Sequence, residues 1–381
     1  GEELELLKFL DALDGEADAS VREVQKPWEE NIRQVRGDQW RLKRSPYFLA
    51  NIVSNQVRRK VALLTESKPQ LQVRAQETGL DKASIVLYNA VKAIWDRTRT
   101  EDSIYRLAQY GMTLGSGFIR VSYDPIEKDI DVSFVDPRRV RIDPGVTAAS
   151  ELRKAEYLRV DTALSISEIR ERFPGRGMLV RPDERLSAYT ESRLGRNSVI
   201  STVMAMMPKA YRPGIASKTG PIPRAEIREY WVKDPQLNTE AGQLFPGGRH
   251  VVRGGNVILV DEANPYWDGE WDLDMFAWDV DFESPWGLDE VQGLRRLQEG
   301  INRIGDAWIR NLLLGSNFKV IADLDALDQD EWGKLDNEAG LVIKKKPQRS
   351  FEFVPPVEMG ATSPQAIEGL IRLCDLLTGN S

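Results

Sequence analysis

The chain has 381 residues, 41% hydrophobic and 29% charged, with a formal net charge of −7; that is the composition of a globular protein of two or three domains at ~150 residues each, not of a disordered one. One cysteine, Cys374, and one histidine, His250, exclude an internal disulfide framework, Cys/His zinc sites and any histidine-based triad not built on His250. Net acidity argues against a surface that coats nucleic acid, no stretch approaches the roughly 18 to 20 apolar residues of a membrane span, the lone cysteine suggests a reducing compartment, and a start at Gly1 without a signal-like segment suggests a trimmed N-terminus rather than a secreted protein.

Residues 2–13 read as a short amphipathic helix with Leu6, Leu7, Leu10 and Leu13 on one side, broken by Gly15 to Ala19. From Val21 to Leu64 the pattern is mostly helical, interrupted near Gly37 and at Ser45-Pro46, with Ile52, Val53, Val57, Val61 and Leu64 as a stripe. Pro69 stops it, and Leu71 with Val73 predicts a short strand. Helices are expected at Asp81–Trp95, with Leu87, Val91, Ile94 and Trp95 on one face, and at about Asp102–Leu114, ending at Gly115-Ser116-Gly117. The period then changes to two: Ile119, Val121 and Tyr123, then Ile130, Val132 and Phe134, predict a hairpin turning at Asp124-Pro125. Asp136-Pro137 and Asp143-Pro144 punctuate its exit.

Residues 185–222 follow no period and read as a long excursion, mobile or ordered by a partner. Strands are predicted at Ala225–Val232 and His250–Val260, separated by a turn at Phe245–Arg249. A helix over Trp286–Leu314 is the clearest of all, capped by Ser284 with Pro285 in its first turn and ended by Gly315. Leu294, Leu297, Ile301, Ile304, Trp308 and Leu312 line one face, and Gln292, Arg296, Glu299, Arg303, Asp306 and Arg310 lie opposite. Phe318–Ile321, an acidic helical turn and Leu341–Ile343 form a small α/β insert closed by Pro355-Pro356, and Ser363-Pro364 opens a last helix through Leu377.

Charge is blocked along the chain. Residues 1–20 carry seven acids against Lys8. Arg33, Arg36, Arg41, Lys43, Arg44, Arg58, Arg59 and Lys60 face only Asp38 in 33–60, and an acidic stretch over 323–338 precedes Lys344, Lys345, Lys346 and Arg349. Such blocks fit either solvated surface or several separate electrostatic contacts. On the predicted long helix, Arg296, Glu299, Arg303, Asp306 and Arg310 alternate in sign at spacings of three and four, which allows pairing within the helix or between copies packed side by side.

Familiar chemistry motifs fail on context. Gly111–Gly117 lies between a helix and a strand, the reverse of a phosphate loop, so it reads as a turn. Asp323, Asp325 and Asp328 lack the central glycine and distal glutamate of a calcium loop. Glu66-Ser67-Lys68 has the look of a nuclease carboxylate–lysine tail but sits at a helix end just before Pro69. His250 has no carboxylate or nucleophile tied to it by spacing and is expected in a surface turn. No catalytic constellation, cofactor or metal site is expected.

Several stretches in order resemble portal proteins of tailed bacteriophages, particularly the short-tailed type. They are Asn51–Val57 leading to Leu64–Pro69, Gly115–Asp124 with Asp136-Pro137 and Ile142–Pro144, Ser167–Pro174, Glu229–Asp234, Phe245–Arg249, Asn264–Trp267, and Gly287 leading to Gln298 and Ile301-Asn302. The likeness runs over roughly residues 50–310 and implies a mixed α+β portal fold: an α/β wing at 1–280, a first stem helix at 281–315, a small α/β clip at 316–356, and at 357–381 a second stem helix and the start of a channel loop, which family members continue into a further helix and crown. It implies a non-enzymatic homo-oligomeric ring, typically of twelve copies, at one capsid vertex. Double-stranded DNA would pass through without sequence recognition during packaging and ejection. Partners would be the major capsid protein, the large terminase motor, and head-completion, adaptor and tail proteins, in the virion and, during assembly, in the host cytoplasm; no membrane is involved. The stem polar face (Arg296, Glu299, Arg303, Asp306, Arg310) would make subunit or channel contacts, and Lys344, Lys345, Lys346 and Arg349 would dock a partner. The alternatives are a metal-dependent nucleic-acid-processing enzyme using Glu66, Lys68 and the basic block 33–60, and a capsid adaptor without a channel.

Overall fold

Period-two alternation in the middle of the chain builds two antiparallel sheets, and period-3.6 segments before and after it build helices. The computed structural model describes residues 2–39, 48–66, 71–75, 81–124, 128–183, 222–233, 245, 247–316, 319–323, 346–354 and 362–377. The chain divides into two compact units, residues 1–28 with 63–289 and residues 29–62 with 290–381.

In the first unit, β1 (Ser116–Asp124) and β2 (Asp129–Val135) form the expected hairpin, and β8 (Leu273–Ala277) pairs on the other side of β1, giving the order β2-β1-β8. α4 (Thr100–Leu114) covers this sheet, burying Met112 and Leu114 beside Phe118. Gly115 ends the helix at φ 87°, and a Cβ there would lie 1.8 Å from the Gly287 carbonyl oxygen. The residue is therefore fixed twice, by backbone conformation and by space. The glycine run is a structural turn.

The second sheet has the order β3-β4-β5-β6-β7, built from β3 (Val140–Ile142), β4 (Tyr157–Ser165), β5 (Arg224–Val232), β6 (Arg249–Gly254) and β7 (Val257–Ala263). Every pairing is antiparallel. The predicted strand 250–260 is two strands, because Gly254-Gly255-Asn256, with Gly255 at φ 60°, folds it into a hairpin. Leu6, Leu10 and Ala17 of α1 (Glu2–Arg36) pack with Tyr157, Tyr230, Val251 and Ile258. Ile166 and Ile169 of α5 (Ile166–Arg172) pack with Ala225, Ile227 and Val252, which alternate with that first set along β5 and β6.

α1 does not break at Gly15 as expected. An interior glycine costs a helix only ~1 kcal/mol, and continuing it buries Ala17, Val21 and Trp28. Leu71 and Val73 form no strand, since their segment has no partner strand among the described residues and strand propensity without pairing decides little. α3 (Asp81–Arg97) forms as predicted, but none of its residues is buried, and Leu87 of the expected inner face is exposed.

In the second unit, α2 (Ile52–Glu66) contributes its first turns, burying Val53, Val57 and Val61; Leu64, beyond that unit, is exposed. The long helix α6 spans Val291–Ser316 rather than starting at Trp286. The helical start is lost because Leu288 N–H donates to the Asp279 carbonyl, Gly287 N–H donates to Ser116 Oγ at 2.9 Å, and Trp286 is buried against Phe118 and Trp28. Val291, Leu294 and Ile301 are buried, Leu297, Ile304 and Trp308 partly so; the side chain of Leu312 is outside the described residues. α7 (Thr362–Leu377) packs on α6, and β9 (Lys319–Ala322) pairs with β10 (Phe351–Val354), a strand the sequence pattern did not indicate. The predicted turns at Ser45-Pro46 and Pro125, the excursion 185–222 apart from Ile222, and Leu341–Ile343 lie outside the described residues. The architecture is mixed α+β.

Candidate functional site

Acids at 11, 14 and 18 recur at i, i+3 and i+7, which places them on one face of α1, toward the five-stranded sheet. Asp14 is the centre. Its carboxylate accepts from Arg159 Nη1 at 2.6 Å on β4, from Arg228 Nη1 at 2.6 Å and Tyr230 Oη at 2.9 Å on β5, and from Arg253 on β6. Asp11 takes a second Arg253 nitrogen at 2.7 Å, and Asp18 takes Arg141 at 2.7 Å and Arg159 at 2.9 Å. Burial alone would raise the Asp18 carboxyl, but Arg141 and Arg159 hold it below the usual range. Burial, then Asp14, pushes the Tyr230 phenol up. The acid-rich N-terminal block is thus a docking face for arginines from four adjacent strands, β3 to β6. Its spacing was visible in sequence, but its partners, more than 120 residues away, were not.

The other side of β5 and β6 carries a second set. His250 is on β6, 9% exposed, and not in a surface turn as expected, because strand alternation turns it inward beside Glu229. Its Nε2 donates to Glu229 Oε1 at 2.9 Å, its Nδ1 lies 3.3 Å from Glu262 Oε1, and its ring stacks on Trp231 with centroids 4.2 Å apart. Arg120 of β1 bridges Glu229 (2.7 Å) and Asp272 (2.7 Å). Burial opposes the Glu229 charge, yet Arg120 and His250 lower its value to about 2. Burial wins at Asp272, whose value rises despite Arg120 and whose Oδ1 has no hydrogen-bond partner among the described residues. Burial would lower His250, but Glu229 and Glu262 raise it. The imidazole has the hydrogen-bonding of a structural cation, with both nitrogens facing carboxylates.

In the second unit, the predicted polar stripe of α6 is in place. Arg303 pairs with Glu299 at 2.5 Å and Arg310 with Asp306 at 2.9 Å, both at i, i+4. Arg296 is exposed and has no ion pair among the described residues. Asp306 is less open than the stripe suggested, its side chain being only 13% exposed. The inner face of α6 holds two amides. Gln298, 1% exposed, accepts from Ile52 N at 2.9 Å and Val53 N at 3.2 Å and donates to Ala50 O and to Asn302 Oδ1. It supplies acceptors for the open N–H groups at the start of α2. Lys346 and Arg349 are exposed before β10; Lys344 and Lys345 lie outside the described residues.

An open cleft of about 490 Å³ on the first unit is lined by Arg22, Arg138, Arg139, Arg141, Arg159 and Arg228 with Asp18, Asp161 and Glu226. Three of these six guanidiniums, those of Arg141, Arg159 and Arg228, are paired with Asp14 or Asp18. Glu66 is the last residue of α2, and Ser67 and Lys68 lie outside the described residues. In the basic block, Arg33 pairs with Glu30 and Asp38, and Lys60 with Glu290. Among the described residues no group of three His, Cys, Asp or Glu side chains could hold a metal ion, and no helix is long and apolar enough to cross a membrane.

A family model of phage P22-like portal proteins matches residues 18–256, from within α1 to the turn after β6. The chain belongs to that portal protein family. No curated protein is a significant match. The matched span carries Asp18 with Arg141, Arg159, Arg228 and Arg253, and the Arg120–Glu229–His250 set, while Asp11, Asp14, Glu262 and Asp272 lie outside it. The portal family is structural and not enzymatic, and its members are bacteriophage proteins of the capsid vertex concerned with DNA packaging.

Proposed function

We propose that this chain forms a homo-oligomeric ring of about twelve copies at one capsid vertex, with double-stranded DNA passing through its channel during packaging and ejection. Residues 1–280 form the wing, 281–315 the first stem helix, 316–356 the clip, and 357–381 the second stem helix with the start of the channel loop. The observation that carries this reading is the portal-family match over residues 18–256.

Charge on α6 supports it. A conduit must not grip its cargo, because each neutralised phosphate adds affinity and hence friction. With Glu299 answering Arg303 and Asp306 answering Arg310, little positive charge remains beyond Arg296. A stripe of this kind either slides past phosphates or meets the same stripe on a neighbouring copy. Lys344, Lys345, Lys346 and Arg349 dock the large terminase motor during packaging and adaptor or tail proteins afterwards, and the major capsid protein surrounds the wing. The ring is a virion component, assembled in the host cytoplasm.

The direct test is assembly of phage heads with and without the chain. Heads lacking it are expected to form shells that package no DNA. Packaging at the normal level in its absence would contradict the reading.

A further inference from the structure

A helix with no buried residue is a poor candidate for stability by itself, since most helical stability in proteins comes from packing an apolar face. α3 is such a helix. Val91, Ile94 and Trp95 are half-buried, but Ile85 is 61% and Val86 69% exposed. At ~100° per residue, Lys82, Ile85, Val86 and Lys92 fall within one sector of about a third of the helix circumference. The outward face therefore carries an apolar pair with a lysine on either side along the axis, together with Asn89 and, one turn beyond Lys92, Asp96. Neither lysine has an ion pair among the described residues.

The converse pattern occurs in the loop after β8. In Asp279-Val280-Asp281-Phe282-Glu283, Val280 is 66% and Phe282 96% exposed, and no basic side chain pairs with any of the three carboxylates among the described residues. The loop is held at its base by the Asp279–Leu288 bridge and by Gly287 N–H on Ser116 Oγ. It presents its aromatic ring from a fixed base, which lowers the ordering cost of binding.

These two surfaces flank opposite edges of one sheet. α3 lies beside β2, where Arg97 donates to the Ile130 carbonyl at 2.7 Å and pairs with Asp129. The loop leaves β8, and the strand order is β2-β1-β8. The lysines, ten residues apart on a helix, are ~15 Å apart along the axis; the carboxylates of a five-residue loop reach at most about the same span. Two different, complementary patches on opposite edges make a head-to-tail contact, the kind that closes into a ring.

We infer that the Asp279–Glu283 loop of one copy docks on the outward face of α3 of the next, Phe282 and Val280 against Ile85 and Val86, with the carboxylates against Lys82 and Lys92. The inference rests on the ring reading above and names the contact that would make it.

The test uses the full chain carrying Cys374→Ser. Val86→Cys and Phe282→Cys chains are mixed and oxidised, and assembly is followed by native mass spectrometry over a concentration series. The expected result is a disulfide between unlike chains within the ring. Reversal of Lys82 and Lys92 to Glu, or of Asp281 and Glu283 to Lys, is expected to weaken assembly ~10-fold or more, and mixing the two reversed chains to restore part of it. A ring that forms without the cross-link and ignores both reversals overturns this contact and leaves the ring standing. A chain that stays monomeric throughout overturns the ring and this contact together.

Discussion

His250 Nε2 donates to Glu229 Oε1 at 2.9 Å inside the five-stranded sheet, and the same carboxylate is held by Arg120 from the other sheet of that unit. The imidazole is raised above its ordinary value by Glu229 and Glu262 against the opposing effect of burial. Its stabilisation is therefore fully present below the ordinary imidazole value of ~6.5 and is lost as pH rises through the raised one. Glu229, lowered to about 2, contributes stability that is present above its ordinary value and lost only as pH falls toward about 2. Thermal melts of the wild-type chain between pH 5 and pH 9 are expected to show the midpoint falling on the alkaline side. His250→Gln should flatten that slope; identical pH profiles would contradict the assignment.

Asp14 faces three guanidiniums and a phenol and is 7% exposed, whereas Asp11 at the rim meets, among the described residues, only Arg253. Removing one partner of a buried ion pair costs ~3–5 kcal/mol because the other charges stay buried. A rim pair contributes about 1 kcal/mol or less. Chemical denaturation should therefore rank Asp14→Ala far below Asp11→Ala. Equal midpoints would mean that the α1–sheet cluster is not the anchor described.

Gln298 serves two N–H groups of α2 through one oxygen. Truncation to Ala leaves buried donors unsatisfied, at ~1–3 kcal/mol each. The Ile52 and Val53 amides should exchange with solvent faster in Gln298→Ala, while those of the β5–β6 pairing stay unchanged. Uniform acceleration through both units would point to global destabilisation instead.

Reversing Lys344, Lys345 and Lys346 to Glu is expected to weaken capture of the terminase motor or the adaptor in a pull-down while leaving the oligomer intact. Unchanged capture would remove the basic cluster from the docking surface.

Elements with a single dominant period were legible in the chain: the β1–β2 hairpin, α4, α7 and the face of α6 that alternates in charge. Errors fell where a distant contact outweighed a local signal. Gly15 looked like a break, but Asp14 and Asp18 have arginines to meet on the sheet. Trp286 looked like a helix start, but the close approach of Gly287 to Gly115 and the Asp279–Leu288 bridge keep the backbone out of the helix there. His250 next to Arg249 looked like a turn, since nothing within its own segment announces Glu229, 21 residues earlier. The charged stripe of α6 could be read from i, i+4 spacing, whereas the amide of Gln298 is polar by composition and buried only because the start of α2 needs acceptors.

Electron microscopy of the assembled particle viewed down its axis, classified with symmetry left free, tests the portal reading most directly. The expected image is a closed ring of about twelve subunits with a pore wide enough for a duplex of roughly 20 Å. A dimer with a closed cleft, or a ring whose opening is too narrow for duplex DNA, would contradict it.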